Sequence, residues 1–400
     1  MTPAHSHPHP PPHNPGRRRA LAQGLGLGAL ALGGPGWAAA GLPATASPHT
    51  VHRLGAAWRR VLPATALQAT PQTQDCVGVL ALDWAARTVR VVAEHAVPTR
   101  AHGVMAEPGG GFLVLAARPG SWMRRLDAQG QVVLHHDLTT ERPNRSLDGH
   151  VIASADGDWL YTPETDRHTG DGWVSVRDVR HFRKQAEWPT HGRDPHQCLI
   201  DASGALLLVN GGIPRTPDGK KRDLDQMNPS LVRLDGRHGE LLGQWRLADA
   251  RLSLRHMAWN GDATHPLLGI ALQAEHDEPS RRAVAPVLAV WDGQALTVPS
   301  RDANASGYAG DIAPGPGGGF VLSGQRVGRG VLWHPDAPAQ LFPVAELKEL
   351  CALASPGGSG REGVLLGSER GVARWHPSEP PALLPWPVAM VPDNHWVLLG

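Results

Sequence analysis

A short unit of two apolar segments joined by a tight turn recurs seven times in this chain, and it restricts the possible folds more than any other feature. Each turn begins at an aspartate or at a His-Pro pair. The seven turn positions are Asp83, Asp127, Asp178, Asp235, Asp292, His334 and His376. Successive positions are 44, 51, 57, 57, 42 and 42 residues apart. A period of this length is typical of proteins built from one repeated structural unit.

A second pair of apolar segments precedes the repeated unit, as in "HVIASADGDWLYT" and "HQCLIDASGALLLV". Four strands per repeat predict an all-β fold, a seven-bladed β-propeller with four-stranded blades. The last copy, "PVAMVPDNHWVLLG", is incomplete. We therefore expect strands 1 and 2 of the last blade to come from this C-terminal segment and strands 3 and 4 from the N-terminal segment around Asp83. This assigns residues 75–400 to a single propeller domain and residues 41–74 to an N-terminal extension.

Residues 1–40 have the pattern of a signal peptide. Three arginines, Arg17–Arg19, precede a mildly apolar stretch, and cleavage is expected after Ala40 or Ala46. Paired arginines before a weakly apolar segment resemble a twin-arginine signal, although Ala20 occupies the position where phenylalanine is common. The general secretory route therefore stays open. Either route predicts an exported protein, located in the periplasm.

Composition excludes several classes of function. The chain has 38 basic and 37 acidic residues, and without residues 1–40 these become 35 and 37, a formal net charge of −2. Nucleic-acid binding requires a concentrated basic face, so we expect no nucleic-acid partner. No apolar run after residue 40 approaches the roughly 18 residues of a membrane span. The three cysteines, Cys76, Cys198 and Cys351, form no CxxC pair and predict no disulfide framework.

The residues that begin the first strand of each blade should line one mouth of the central channel. They are His102, His150, His196, His256, Asp311, Cys351 and, at the weakest alignment, Pro387. Imidazole, carboxylate and thiolate are the usual ligands of transition metals. All six of the named histidine, aspartate and cysteine positions are therefore candidate ligands for iron or copper, ahead of zinc. A repeated histidine could instead serve only the hydrogen bonding of a shared turn.

The width of such a channel limits direct ligation. A metal–nitrogen bond is only about 2.0 to 2.1 Å long, so a full ring of residues is too wide to bind one ion. Two or three neighbouring histidines, His150 and His196 especially, are expected to share it. The local metalloprotease pattern HExxH is absent from the sequence.

The loops on the same face contain polar residues that suit an incoming ligand. Arginine pairs with carboxylate or phosphate through two parallel hydrogen bonds, so these loops predict a polar funnel for such groups. The alternative is a set of solvated turns with scattered charges. The candidate ligand-binding residues are Arg118, Glu164, Asp166, Arg167, Asn210, Arg215, Arg255 and Arg326.

Four stretches, "GHVIASADGDWLYTPETDRHTGDGWVSV", "PHQCLIDASGALLLVNGGI", "LDQMNPSLVRLD" and "LSLRHMAWNG", resemble in order the motifs of the bacterial family called domain of unknown function 1513. The resemblance covers roughly residues 75–400. It implies an exported propeller encoded beside imelysin-like periplasmic proteins in apparent iron-uptake clusters. Imelysin-like iron-uptake proteins are therefore the expected partners. The loop "LQAEHDEP" departs from the glutamine- and glycine-rich loop of the family.

Three functions fit these observations. The first is a periplasmic binding or accessory propeller for iron or copper at the histidine-lined mouth. The second is a redox or hydrolytic enzyme with an axial metal, in which histidine and Asp311 would perform acid–base work. The sequence has neither a GxSxG nucleophile motif nor a CxxCH haem motif, which favours binding over catalysis. The third is a protein-interaction platform without a small ligand.

Overall fold

The computed structural model describes residues 51–62, 72–141, 143–300 and 306–400. These residues form seven antiparallel sheets arranged in a ring, a seven-bladed β-propeller, which confirms the predicted fold class. The predicted signal peptide, residues 1–40, lies outside the described residues. Within the described part of the chain, no helix is long and apolar enough to cross a membrane.

Blades are numbered here in the chain order of their innermost strands, and strands are given from the channel outward. Blade 1 comprises Ala101–Ala106, Phe112–Ala116, Trp122–Leu126 and Val132–Asp137. Blade 2 comprises Arg145–Leu147 with Ile152–Ala153, then Trp159–Asp166, Asp171–Asp178 and Lys184–Arg193. Blade 3 comprises Pro195–Ile200, Leu206–Asn210, Ser230–Leu234 and Leu241–Trp245. Blade 4 comprises Leu252–Trp259, Leu268–Ala274, Leu288–Trp291 and Leu296–Thr297.

The remaining blades complete the ring. Blade 5 comprises Ile312–Pro314, Phe320–Gly324, Arg329–Trp333 and Phe342–Glu346. Blade 6 comprises Leu353–Ala354, Val364–Ser368, Gly371–His376 and Glu379–Pro385. Blade 7 comprises Met390–Leu399, Val51–Leu62, Gln72–Asp83 and Thr88–Ala96. Short helical segments in the described loops are the α-helix Pro279–Ala283 and the 3-10 turns Leu138–Thr140, Leu224–Gln226, Pro316–Gly318, Gln325–Val327 and Pro356–Gly358.

Blade 7 closes the ring with one C-terminal strand and three N-terminal strands, so the expected division into two and two is wrong. Val51–Leu62 is the second strand of this blade, although residues 41–74 were expected to be an N-terminal extension. The cause is the segment "VPDNH", which the sequence suggested to be a turn between two strands. It is a bulge inside a single strand, where residues 393–395 face Ala57 alone, between the pairs Ala56–Trp396 and Trp58–Pro392.

The recurring turn residues have a common structural role. All seven lie at the end of the third strand of their blades or directly after it, where the turn to the fourth strand begins. The Asp127 carboxylate accepts hydrogen bonds from the backbone N–H groups of Gln129 and Gln131 at 2.9 and 2.8 Å. The His334 imidazole accepts one from the N–H of Asp336 at 3.2 Å. Either aspartate or histidine can occupy this position of the repeat, because both place an acceptor where the turn needs one.

The core lies between adjacent blades. All five residues of Phe112–Ala116 and of Leu206–Asn210 are buried, because neighbouring blades cover both faces of these strands. Such strands are continuously apolar instead of alternating with polar residues. Each fully buried large apolar side chain contributes about 1.5–3 kcal/mol to burial energy, so the blades form a rigid support for the channel.

Candidate metal centre

Bulges in the innermost strands direct histidines toward the channel. In blade 1 the register passes from Ala101–Ala116 to Val104–Val114, so His102 and Gly103 face a single residue. The same two-against-one arrangement places His196 in blade 3 and His256 in blade 4. A β-bulge bends its strand and re-aims a side chain. The shared register of the histidines in the sequence is therefore a shared bulge in the structure.

Two further histidines reach the same place through larger irregularities. His150 lies between Arg145–Leu147 and Ile152–Ala153, two short strands that both pair with the second strand of blade 2. His395 lies in the bulge of blade 7. Sequence reasoning missed His395 because it placed Pro387 at this position. A usable signal was present, since "PDNHWVLL" and "DPHQCLI" both place proline and aspartate shortly before a histidine and an apolar run.

The five imidazoles form one cluster, here called the histidine cluster: His102, His150, His196, His256 and His395. Contacting ring centroids are 4.2 to 5.7 Å apart, the shortest separation being between His256 and His395. One nitrogen from each of four residues lies within 4.8 Å of the others; these are His102, His150, His256 and His395. The four predicted histidines therefore do converge, and the unpredicted His395 completes the group that could hold a metal ion.

Carboxylates orient two of the four imidazoles. His102 Nδ1 lies 3.2 Å from Asp393 Oδ1, and His395 Nδ1 lies 3.3 Å from Asp311 Oδ1. The first contact is a hydrogen bond, and because a carboxylate accepts, His102 Nδ1 carries the proton and its Nε2 has a free lone pair. The Asp311 carboxylate favours the same tautomer of His395. This is the tautomer of metal-binding histidines, whose second nitrogen usually donates to a carboxylate. Asp311, which was predicted to be a metal ligand, instead contacts Nδ1 of His395. Asp393, which contacts Nδ1 of His102, was not among the predicted site residues.

His196 has the opposite tautomer. Arg118 Nη2 lies 3.3 Å from His196 Nδ1, and because arginine can only donate, Nδ1 must accept. The proton of neutral His196 is therefore on Nε2, which faces the cluster 2.8 Å from His256 Nε2. His196 was expected to share an ion with His150, and their ring centroids are 4.7 Å apart. Its proton, however, makes it a donor in this arrangement.

The contacts of His256 are mutually incompatible for neutral imidazoles. Its Nε2 lies 2.8 Å from His196 Nε2 and 2.9 Å from His395 Nε2. An imidazole nitrogen has one in-plane position, occupied by either a hydrogen or a lone pair, so it can satisfy only one of these contacts. His150 Nε2 and His256 Nδ1 are buried with no hydrogen-bond partner among the described residues. The histidine cluster is therefore left with unsatisfied nitrogens at its centre.

Burial keeps four of the five imidazoles neutral. Desolvation lowers the pKa of His102 to about 4, against the partial opposition of Asp393. It also places the pKa values of His150, His196 and His256 well below 6.5, and neighbouring positive groups lower them further. A metal must displace bound protons from charged histidines before it binds. At neutral pH a metal would not have to displace protons from these four histidines.

Cys351, a predicted ligand, lies outside the four-histidine group. Its Sγ faces backbone carbonyls of the blade 7 bulge, at 3.5 Å from Asp393 O and 3.8 Å from Pro392 O. Burial raises the pKa of the thiol to about 12, so it stays protonated. In this arrangement the thiol acts as a weak donor to the bulge that carries His395.

Three of the predicted ligand-binding arginines converge on one buried carboxylate. Arg118, Arg215 and Arg255 all pair with Asp194. Burial alone would raise the pKa of Asp194, but the arginines outweigh it and hold that pKa far below its usual range. Arg118 also pairs with Asp148, whose pKa is raised to about 6, chiefly by burial. These arginines form a fixed ion-pair network directly behind His196.

The other predicted ligand-binding residues do not join this network. Glu164 is fully buried between Arg177 and Lys184 in blade 2. The Asn210 amide donates to Thr190 O at 2.9 Å, within the strand framework. Both therefore support the blades and do not face an open site.

The last three predicted residues lie in two places. Asp166 and Arg167 are chain neighbours and line one small pocket together with Arg118, Asp194 and Arg215. The Asp166 carboxylate accepts backbone N–H groups of its own turn at 3.0 and 3.1 Å, and Arg167 donates to Pro217 O at 3.0 Å. Arg326 does not line this pocket and stacks over the ring of Tyr308 at 4.1 Å. The predicted polar funnel is thus reduced to this pocket.

Fold and site together define a seven-bladed propeller with a buried histidine cluster at its axis. This matches what the sequence motifs suggested. The chain belongs to the family described as "Protein of unknown function (DUF1513)", whose sequence profile matches residues 95–399. A comparison with curated proteins returns no match.

Solved structures confirm the architecture only. Hydrazine synthase from Kuenenia stuttgartiensis is 15% identical over 79% of this chain and 93% of that chain, with a TM-score of 0.52. A functionally unknown protein from Desulfotomaculum acetoxidans is 8% identical over 86% of this chain and 98% of that chain, with a TM-score of 0.53. Virginiamycin B lyase from Staphylococcus aureus is 9% identical over 76% and 92%, with a TM-score of 0.47. At these identities the likeness concerns the fold alone.

Proposed function

We propose that this propeller binds one transition-metal ion, iron or copper, through His102, His150, His256 and His395. The observation that carries the proposal is the pair of short nitrogen contacts at His256, which neutral imidazoles cannot both satisfy. Two nitrogens bound at right angles to one ion at about 2.0–2.1 Å are about 2.9 Å apart. The His256–His395 separation of 2.9 Å fits that geometry. An ion between His256 Nε2 and His395 Nε2 would be bound by the two lone pairs that otherwise face each other.

The donor set supports the choice of metal. Four neutral imidazoles suit iron, copper or zinc, whereas magnesium, calcium and manganese prefer oxygen donors. A cation in this buried site also needs compensating charge. Asp311 and Asp393 lie against the Nδ1 atoms of His395 and His102, and Asp393 is also paired with Arg100. The centre would thus combine neutral ligands with two nearby carboxylates.

The cellular role follows from the sequence. The signal-like pattern of residues 1–40 supports export, by the twin-arginine route, to the periplasm. The likeness to an iron-uptake-associated family supports imelysin-like proteins as partners. In this role the propeller is an accessory protein that holds the metal and does not transform it.

Elemental analysis tests the proposal. Protein purified without residues 1–40 should retain one iron or copper ion per chain after incubation with either metal and desalting. The double variant His256→Ala with His395→Ala should retain almost none. His276→Ala is the matched control, because His276 is also buried but pairs with Asp249 outside the histidine cluster. Equal metal content in the wild type and the double variant would refute the site.

A further inference from the structure

His196 is the one imidazole of the histidine cluster whose proton is fixed toward the centre. Arg118 donates to its Nδ1 and is itself held by Asp148, Asp194 and the carbonyl of Pro195. This arginine is largely buried, with 13% of its side chain exposed, and cannot rotate away without breaking those contacts. The Nε2–H of His196 therefore points at the space where the metal ligands converge.

Metal binding removes the acceptor of this N–H group. In the metal-free arrangement the acceptor is His256 Nε2, at 2.8 Å. Once that lone pair binds an ion, the buried N–H of His196 has no partner, and a buried unsatisfied donor is costly. Four imidazole ligands leave coordination positions open on five- or six-coordinate iron or copper. An atom bound at such a position would be a suitable acceptor.

The charge on the His196 side of the cluster favours an anion at that position. Behind His196, three arginines face two carboxylates, Asp148 and Asp194, which leaves a positive excess. Arg255, the residue adjacent to His256, is buried, and its Nε has no hydrogen-bond partner among the described residues. Positive groups of this kind strengthen hydrogen bonds to negatively charged acceptors.

We infer that the metal centre binds a small exogenous anion, such as hydroxide or azide, and that His196 donates a hydrogen bond to it. This inference rests on the proposed metal site. It assigns His196 a positioning role and excludes it from the metal ligands. The ligand class is a monoatomic or short linear anion, because the five clustered imidazoles leave little room.

Azide is a suitable probe. Metal-loaded wild-type protein is titrated with azide, and the azide-to-metal charge-transfer absorption gives the dissociation constant. His196→Ala should keep the same metal content but bind azide at least about tenfold more weakly, since a hydrogen bond to a charged group is lost. His196→Gln, whose amide can donate, should recover most of the affinity. His276→Ala should match the wild type.

The outcomes separate the two proposals. Loss of metal from His196→Ala would show that His196 is a ligand and would overturn this inference alone. So would a wild-type protein that binds metal but no azide, or an azide affinity that His196→Ala leaves unchanged. A wild-type protein that binds no metal would refute the metal site itself and, with it, this inference.

Discussion

Acidification should destabilise the metal-free protein through the histidine cluster. Desolvation lowers the pKa values of four imidazoles in the folded state, to about 4 for His102 and well below 6.5 for His150, His196 and His256. The unfolded chain then binds more protons than the folded chain below pH 6.5. Stability from these groups is therefore complete above pH 6.5 and is lost as the pH falls.

The size of this loss of stability follows from the pKa of about 6.5 that histidine has in the unfolded chain. Between pH 6.5 and 5 each group that stays neutral in the folded protein loses about 1.4 kcal/mol per pH unit, or about 2 kcal/mol. His102, whose folded pKa is about 4, loses about 2 kcal/mol, and His150, His196 and His256 add losses of the same sign because their pKa values lie well below 6.5. Asp148 opposes them, because its raised pKa of about 6 means that the folded state takes up its proton first, a gain of about 1.4 kcal/mol. The gain at Asp148 is smaller than the loss at His102 alone, so the net change is a loss of stability.

Urea denaturation checks this prediction. Unfolding of the chelator-treated protein is followed by fluorescence of its 14 tryptophans at pH 7, 6 and 5. The free energy of unfolding should fall below pH 6.5, and His256→Gln should make the fall smaller because one titrating group is removed. His276→Gln, outside the cluster, is the matched control. A free energy of unfolding that is constant from pH 7 to 5 would contradict the reasoning.

Two further predictions concern the supports of the site. Asp393→Asn should lower metal affinity about 10- to 100-fold in a chelator competition while preserving the saturating stoichiometry, because the partner that orients His102 is weakened. Unchanged affinity would argue against a role for this carboxylate. Gly103→Ala should lower both the melting temperature and the metal content, because its added Cβ would lie 2.0 Å from Gly149 O at the contact between the bulges of blades 1 and 2. A variant with wild-type stability and metal content would show that the backbone at Gly103 and Gly149 can move apart without harm to the site.

The repeat predicted both the architecture and most of the site. Turn positions are visible in sequence because each turn needs a local side-chain acceptor, as at Asp127 and His334. The register of His102, His196 and His256 is visible because each occupies the same bulge of an innermost strand. Features set by the immediate chain neighbours of a residue are thus readable from the sequence.

Features that depend on contacts between distant parts of the chain could not be predicted from the sequence. The blade 7 bulge depends on pairing with a strand from the other end of the described chain, so "VPDNH" looked like a turn and His395 was missed. The tautomer of His196 depends on Arg118, which belongs to another blade. Glu164 looked like a loop residue because its buried partner Arg177 lies on the neighbouring strand.

The closure of blade 7 would link the proposed metal binding to biosynthesis. Its innermost strand pairs Leu399 with Arg53, and the same strand carries His395. Blades 1 to 6 each pair within one local stretch and can form as the chain emerges from the ribosome, whereas this long-range pairing must come last. A nascent chain that has not reached His395 lacks one of the four proposed ligands and the closed ring that holds them together. Metal capture would therefore begin only after this strand has been made and the ring has closed, and occupancy would distinguish closed molecules from open ones.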